Sequence, residues 1–272
     1  MITLVYILSG FLGLLLLGNL FTYVLQDLFI FRPDKLTSGH EFHFEADYEE
    51  LSLCGKAGGR LNALWFHLPK KQQCRGVVLY FHGNSGNLAR WGNLYHFFFR
   101  FGYDFFVCDY RGFGKSRGPR TEALLYDDAR LMYEYLRRFY PPEKIIIFGR
   151  SIGSAMACRL ASEMPARSLV LETPFASMRD LFYTYYPFLP RLFLFKYIFP
   201  NREYLPRVSY PVYIFQGTAD FIVPERCAAR LRPALKPADR FITIEMGRHN
   251  DLMIYDRYHR QMDEILRYEK EE

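Results

Sequence analysis

Six short apolar runs alternate with longer helical segments between residues 76 and 245. The runs are rich in β-branched and aromatic residues, which is typical of strands buried on both faces. They are Gly76–Phe81, Asp104–Asp109, Lys144–Phe148, Ser168–Leu171, Val212–Phe215 and Phe241–Glu245. The intervening helices are predicted at Asn87–Phe101, Thr121–Phe139, Ile152–Glu163 and Glu225–Arg232. This alternation predicts a mostly parallel sheet with helices on both faces.

Two more strands are predicted ahead of this alternation, at Glu41–Glu49 and Arg60–Leu68. The glycine-containing stretch from Gly55 to Gly59 joins them, so we expect an antiparallel hairpin and a sheet of eight strands in all. A chain of 272 residues, half of them hydrophobic, suits one large α/β domain with a short appendage better than two full domains.

That appendage is predicted at the amino terminus, where Ile2 to Leu25 contains no charged residue. At about 1.5 Å per residue the stretch is long enough to cross a bilayer, so we expect a transmembrane anchor over residues 1–32 and a catalytic domain over 33–272. A signal peptide would need a basic start and a small-residue cleavage site, which are missing, and a buried core helix is the other alternative. Arg32 and Lys35 follow the stretch, which favours a cytoplasmic catalytic domain.

The segment from Ser177 to Asn201 interrupts the order of strands and helices and is dense in Phe, Tyr and Leu. Ligands of parallel sheets bind beyond the carboxyl ends of the strands. We therefore expect residues 177–201 to form a small cap over an apolar ligand, with an ordinary core helix as the alternative.

The composition argues against nucleic acid as a partner and against metal or disulfide sites. The net charge is +6, but the Lys and Arg residues are scattered and form no nucleic-acid motif, so membrane lipid is the expected anionic partner and nucleic acid is not. An ordinary solvated surface also accounts for this charge. The five cysteines form neither a CxxC pair nor a cluster, which argues against a metal site and against a disulfide framework.

The sequence Gly149-Arg150-Ser151-Ile152-Gly153 directly follows a predicted strand and opens a predicted helix. A G-x-S-x-G motif in this context forms a sharp turn that presents the serine hydroxyl at the carboxyl edge of the sheet. Small residues on either side of the serine avoid clashes with the neighbouring strand and helix. Ser151 is therefore the candidate nucleophile.

A serine hydroxyl needs a base within hydrogen-bond reach and a third group that orients the base. Two histidines lie downstream of Ser151: His249 follows the last predicted strand, whereas His259 falls within a helical pattern. The candidate base is therefore His249. Asp220, in the loop after the strand Val212–Phe215, is the candidate acid.

A second carboxylate could also reach the base, because Glu172 lies at the end of the preceding predicted strand. Asp251 is close to His249 in sequence, but we interpret it as the N-cap of the last helix. For the oxyanion we expect backbone amides from Ile152, which follows the nucleophile, and from Asn84 in the loop after the strand Gly76–Phe81. His82 in that loop is interpreted as structural.

The motifs HGNSGN, DYRGFGKSRG, GRSIGS, ETPFAS and GTADFIVP stand in the order and at the spacings of α/β-hydrolases. The chain resembles the small-capped, singly membrane-anchored branch of this superfamily, which includes lysophospholipases and protein depalmitoylases. The resemblance implies the α/β-hydrolase fold, a triad of Ser151, Asp220 and His249, and an oxyanion donor at Asn84. It also implies hydrolysis of acyl esters or thioesters without a cofactor.

Three functional hypotheses follow. The first is an esterase, thioesterase or lysophospholipase that acts on long-chain acyl substrates at the bilayer surface. The second is a catalytically silent, membrane-tethered binding protein that uses its aromatic surface for a partner. The third keeps acyl-enzyme chemistry but changes the reaction, to a peptidase or an acyltransferase.

Overall fold

One sheet of eight strands organises the protein in the computed structural model, which describes residues 2–267. The strands are β1 (Tyr48–Gly55), β2 (Gly59–Phe66), β3 (Gly76–Phe81), β4 (Tyr103–Cys108), β5 (Ile145–Arg150), β6 (Ser168–Glu172), β7 (Val212–Gly217) and β8 (Arg240–Ile244). Their order across the sheet is β1-β2-β4-β3-β5-β6-β7-β8. The pairings of β2 with β1 and β4 are antiparallel, and the pairings from β4 through β8 are parallel. The predicted mostly parallel sheet is confirmed.

Helices cover both faces of this sheet. They are α1 (Ile2–Ile30), α2 (Leu88–Trp91), α3 (Tyr95–Phe99), α4 (Glu122–Leu136), α5 (Gly153–Ala161), α6 (Met178–Tyr185), α7 (Asn201–Tyr204), α8 (Glu225–Ala228) and α9 (Asp256–Arg267). Val77 and Leu79 of β3 belong to the core cluster that contains α4 and α5. Val78 and Tyr80, on the opposite face of the same strand, belong to the cluster that contains α2, α3 and α9. This alternation follows from the two-residue period of a strand.

The opening hairpin differs from its predicted boundaries. Glu41–Glu49 was expected to be its first strand, but β1 begins at Tyr48. The tight turn from Gly55 to Gly59 sets the register, so the eight residues of β2 pair back as far as Tyr48, which lies opposite Phe66. The apolar alternation before Tyr48 has another origin, because Phe42 and Phe44 pack against the core from outside the sheet.

Two helical predictions also need correction. The segment Asn87–Phe101 is not one helix, because a 3₁₀ turn at Gly92–Leu94 separates α2 from α3. Glu225–Arg232 likewise becomes α8 followed by a 3₁₀ helix over Ala229–Ala234, which contains Pro233. A proline has no N–H to continue an α-helical ladder.

The expected capping role of Asp251 is wrong, since α9 begins five residues later at Asp256. The Asp251 carboxylate instead accepts a hydrogen bond from the backbone amide of Arg248 at 2.6 Å. Side chains that do cap helices include Thr121, which accepts from the Leu124 amide, and Ser177, which accepts from the Asp180 amide at 2.9 Å. These caps fix where α4 and α6 begin.

The first helix, α1, is apolar from Leu12 to Ile30 and largely exposed. Its length and composition are those of a membrane span or a signal sequence. Just after α1, the short segment Arg32–Pro33 pairs in parallel with Ser85–Gly86, in the loop that follows β3. The end of α1 is thereby joined by backbone hydrogen bonds to the carboxyl edge of the sheet.

Candidate active site

Ser151 occupies a strained turn between β5 and α5. Its φ of 52° lies in the left-handed region, which is unusual for a residue with a side chain. Two glycines permit the turn: a Cβ on Gly153 would lie 2.0 Å from the Phe81 carbonyl oxygen, and one on Gly149 would lie 2.6 Å from the Ala157 Cβ. The two glycines of the motif are therefore required by close packing of α5 against the sheet.

The structure brings Ser151, His249 and Asp220 together. The Ser151 Oγ lies 2.9 Å from the His249 Nε2, and the His249 Nδ1 lies 2.8 Å from the Asp220 Oδ2. Asp220 and His249 come from the loops after β7 and β8, whose carboxyl ends meet at the same edge of the sheet as that of β5. The order of strands thus assembles residues that are 29 to 98 positions apart in sequence.

Asp220 is fixed by several donors. Its Oδ1 accepts the backbone amides of Ile222 and Val223, both at 2.8 Å. Its Oδ2 faces His249 and also accepts from the Gln216 side-chain amide at 3.3 Å. These bonds orient the carboxylate toward the imidazole.

Glu172, the alternative acid, lies in a different network. Its Oε1 is 3.2 Å from the Arg150 Nη1, and its Oε2 accepts from the Tyr258 hydroxyl at 2.7 Å. Burial opposes the charge on Arg150, but Glu172 together with the neighbouring Tyr80 and Tyr258 raises the Arg150 pKa. The Glu172 carboxylate is therefore engaged by Arg150 and Tyr258, whereas Asp220 contacts His249.

Arg150 is a site residue that the sequence reasoning missed. Its Nη2 donates to the backbone carbonyl of His249 and to the Asn250 Oδ1, each at 3.2 Å. Arg150 therefore holds the histidine loop against the Ser151 turn. Its position inside the G-x-S-x-G motif was visible in the sequence, but its partners lie about 100 residues away.

Asn84 and Ile152 both line the cavity that contains Ser151. Ile152 is the residue before the first turn of α5, so its N–H has no helical acceptor. The carbonyl of Asn84 accepts from the Arg32 amide at 2.7 Å, which ties the loop to the segment after α1.

Among the described residues, His82 makes no hydrogen bond to Ser151, His249 or Asp220. It is fully buried, with its Nδ1 2.7 Å from the Gly83 carbonyl oxygen and its Nε2 3.3 Å from the Asp109 Oδ1. Burial raises the pKa of Asp109, and the neighbouring His82 partly offsets this effect. The contacts of His82 are those of a residue that packs the loop after β3.

The cavity in front of Ser151 has a volume of about 890 Å³. One wall is the predicted cap segment, which contributes an apolar and aromatic lining, and another is the last nine residues of α1. The lining from these two walls is Met178, Leu181, Phe182, Tyr185, Tyr186, Leu189, Phe193, Leu194 and Phe195 from the cap, and Thr22, Gln26, Phe29 and Ile30 from α1. An apolar cavity of this size fits a ligand with a substantial hydrocarbon part.

The charged residues in the lining are all basic. They are Arg32, Arg90 and Arg150, and no Asp or Glu occurs among the described residues that line the cavity. Arg32 and Arg90 are exposed, whereas Arg150 is buried beside Glu172. The accessible part of the cavity is therefore suited to an anionic group rather than to an ammonium.

Comparison with known proteins is consistent with this architecture. The family model described as serine aminopeptidase S33 matches residues 72–204. An uncharacterized protein of Mycobacterium tuberculosis is 33% identical over 182 residues, which cover 66% of this chain and 65% of the relative. The chain thus spans slightly less than two thirds of that relative's length.

Two further proteins are similar. The human alpha/beta hydrolase domain-containing protein 17B is 29% identical over 205 residues, which cover 71% of this chain and 67% of the relative. An esterase of Pyrococcus furiosus, Pf2001, has the same fold with a TM-score of 0.67 and 18% identity, over 87% of this chain and 97% of the esterase. The sheet order and these matches show that the chain has the α/β-hydrolase fold.

Proposed function

We propose that this protein is a membrane-anchored serine hydrolase that cleaves carboxylic esters or thioesters of acyl lipids. The observation that carries the proposal is the continuous contact from the Ser151 Oγ through His249 to Asp220, at 2.9 and 2.8 Å. These are hydrogen-bonding distances for a nucleophile, its base and the group that orients the base.

In the proposed reaction the His249 Nε2 accepts the proton of the Ser151 hydroxyl as its Oγ attacks the acyl carbonyl carbon. The His249 Nδ1–H donates to Asp220, which stabilises the imidazolium that forms. The backbone amides of Ile152 and Asn84 donate to the oxyanion. His249 then gives its proton to the leaving alcohol or thiol, and water hydrolyses the acyl-enzyme by the same route.

Apolar surface near the cavity supports action at a bilayer. The side chains of Phe188 and Leu192 in the cap segment are 79% and 66% exposed, and Phe221, next to Asp220, is 80% exposed. Together with the exposed apolar length of α1, they form apolar surface of the kind that marks membrane interaction sites. We propose that α1 spans the membrane and that the mouth of the cavity faces the lipid surface.

We propose further that the catalytic domain lies on the cytoplasmic side, because Arg32 and Lys35 follow α1. A membrane-impermeant maleimide tests this, since Cys54 is exposed on the globular domain. Its thiol should react in cells only after the plasma membrane is permeabilised. Labelling in intact cells would place the domain outside.

The match to a serine aminopeptidase family model raises peptide-bond cleavage as a second candidate. An aminopeptidase binds the ammonium group of its substrate, which favours a carboxylate in the pocket. The charged side chains in the described lining of this cavity are all arginines, and this favours acyl substrates with anionic head groups. Turnover of aminoacyl p-nitroanilides that exceeds turnover of esters would overturn this preference.

The test is labelling of detergent-solubilised protein with a fluorophosphonate probe, followed by a panel of p-nitrophenyl esters, acyl thioesters and lysophospholipids. We expect labelling in the wild type and none in Ser151→Ala. Replacement of Ser151 or His249 by alanine should lower kcat by about 10⁴–10⁶-fold. Wild-type protein that takes no probe and turns over no substrate would instead favour the catalytically silent binding protein.

A further inference from the structure

Helix α1 carries polar side chains on one face of an otherwise apolar sequence. Asn19 and Gln26 are seven residues apart, which is close to two helical turns, so they share a face. Asn19 is 7% exposed, whereas Leu20 and Leu28, which point away from the cap segment, are 61% and 70% exposed. Polar side chains within a membrane-spanning helix are costly without partners and are usually functional.

Both side-chain amides bond to backbone groups of the cap segment, while the Asn19 Nδ2 donates to the Leu15 carbonyl within α1 at 3.1 Å. The Leu194 amide donates to the Asn19 Oδ1 at 2.9 Å, and the Gln26 Nε2 donates to the Leu194 carbonyl at 2.8 Å. The Lys196 amide donates to the Gln26 Oε1 at 2.8 Å. Asn19 and Gln26 thus bind the cap backbone much as a neighbouring strand would, and we call this pair the amide clamp.

A polar contact at the end of α1 extends the amide clamp. The Asp27 carboxylate accepts a hydrogen bond from the Tyr197 hydroxyl at 2.7 Å and pairs with Lys196. It also lies 3.4 Å from Arg120, whose guanidinium stacks over the Phe31 ring at 4.0 Å. The end of α1 is therefore fixed to the globular domain through side chains as well as through its backbone.

The same two elements, α1 and the cap, form walls of the cavity in front of Ser151. The hydroxyl of Thr22 bonds back to the Gly18 carbonyl at 2.9 Å, so it is satisfied within α1. Phe29 and Ile30 complete the contribution of α1 with hydrocarbon. Because the clamp sets the spacing between these walls, it also sets the space that an acyl chain can occupy.

We infer that one face of α1, formed by Thr22, Gln26, Phe29 and Ile30, is a wall of the acyl-binding pocket, and that Asn19 and Gln26 are positioning residues that determine acyl-chain selectivity. The inference rests on the proposed hydrolase function and adds to it. In this arrangement α1 is more than a tether, since the acyl chain of a bilayer lipid lies between α1 and the cap while its carbonyl reaches Ser151.

The first experiment uses wild-type full-length protein in detergent micelles and a hexadecyl fluorophosphonate with a diazirine at the far end of its chain. After the probe has reacted with Ser151, irradiation should cross-link it to peptides from residues 22–30 and 178–195. Cross-links that avoid residues 22–30 would overturn the inference while leaving the proposed function intact. Wild-type protein that takes no fluorophosphonate of any length would overturn the proposed function, and the inference with it.

The second experiment measures chain-length selectivity in Asn19→Leu and Gln26→Leu, with Leu20→Ala and Leu28→Ala as controls on the exposed face of the same helix. We expect the ratio of kcat/KM for C14 to C4 p-nitrophenyl esters to fall about tenfold in each clamp variant, because each loses hydrogen bonds that hold the cap. The ratio in the controls should stay within about twofold of the wild type. Clamp variants with the wild-type ratio would overturn the inference. This includes variants in which kcat/KM falls equally for the C14 and C4 esters, which is the result expected of a merely structural defect.

Discussion

Removing one partner of the ion pair between Arg150 and Glu172 should lower the free energy of unfolding measurably. Both side chains are almost fully buried, at 8% and 2% exposure, and their charged atoms lie 3.2 Å apart. Arg150→Met would leave the Glu172 carboxylate buried, with the Tyr258 hydroxyl as its only side-chain partner among residues 2–267. Removal of one member of a buried ion pair costs about 3–5 kcal/mol, so we expect the free energy of unfolding to fall by that amount.

The double variant Arg150→Met/Glu172→Gln removes both charges and keeps an acceptor for Tyr258. We expect it to recover most of the stability lost in the single variant, because no uncompensated buried charge remains. Urea titration of the detergent-solubilised protein measures both free energies, and Trp91 is a suitable fluorescent probe because the Arg150 guanidinium lies 5.4 Å from its ring. A single variant within about 1 kcal/mol of the wild type, or a double variant no more stable than the single, would refute the reasoning.

Three further predictions concern the acid, the turn and pH. Asp220→Asn should lower kcat by about 10⁴-fold in ester hydrolysis assays. A larger loss of kcat in Glu172→Gln would show that the acid is misassigned. Gly153→Ala should destabilise the protein by about 3 kcal/mol in thermal unfolding, because the added Cβ would lie 2.0 Å from a β3 carbonyl oxygen. Gly39→Ala is the control: a Cβ at that position meets open space, so the free energy of unfolding should not change. A hydrogen bond to Asp104 raises the pKa of His67, so His67 contributes stability below about pH 6.5 that is lost as pH rises through its raised folded pKa. The Tm difference between wild type and His67→Gln should therefore be larger at pH 5.5 than at pH 8.5, and an equal difference would contradict this.

Much of the sheet could be predicted from the sequence, because strand signals are local. The apolar runs at β3 through β8 match the observed strands to within about two residues at each end. The prediction failed at Glu41–Glu49, where alternating aromatic residues imitate a strand but pack against the core without pairing. Only the register imposed by the turn at Gly55–Gly59 locates β1.

The candidate site likewise has a part that could be predicted from the sequence and a part that could not. Ser151 could be predicted because the turn that presents it is specified by five adjacent residues. His249 and Asp220 followed from their places after strands, and their contact depends on β5, β7 and β8 ending at one edge of the sheet. The contacts of Arg150 and of the amide clamp could not be predicted, since Gln26 and Leu194 are separated by 168 residues and share no local pattern.

By itself, the sequence determined the elements of this protein: its strands, its apolar first helix and the glycine-flanked serine turn. These depend on backbone preference and hydrophobic period, which act over a few neighbouring residues. Tertiary structure decided which carboxylate contacts His249, which ion pair supports its loop, and that α1 lines the cavity. Those outcomes depend on distances between residues far apart in the chain, and the order of strands and the packing of the cap on α1 set those distances.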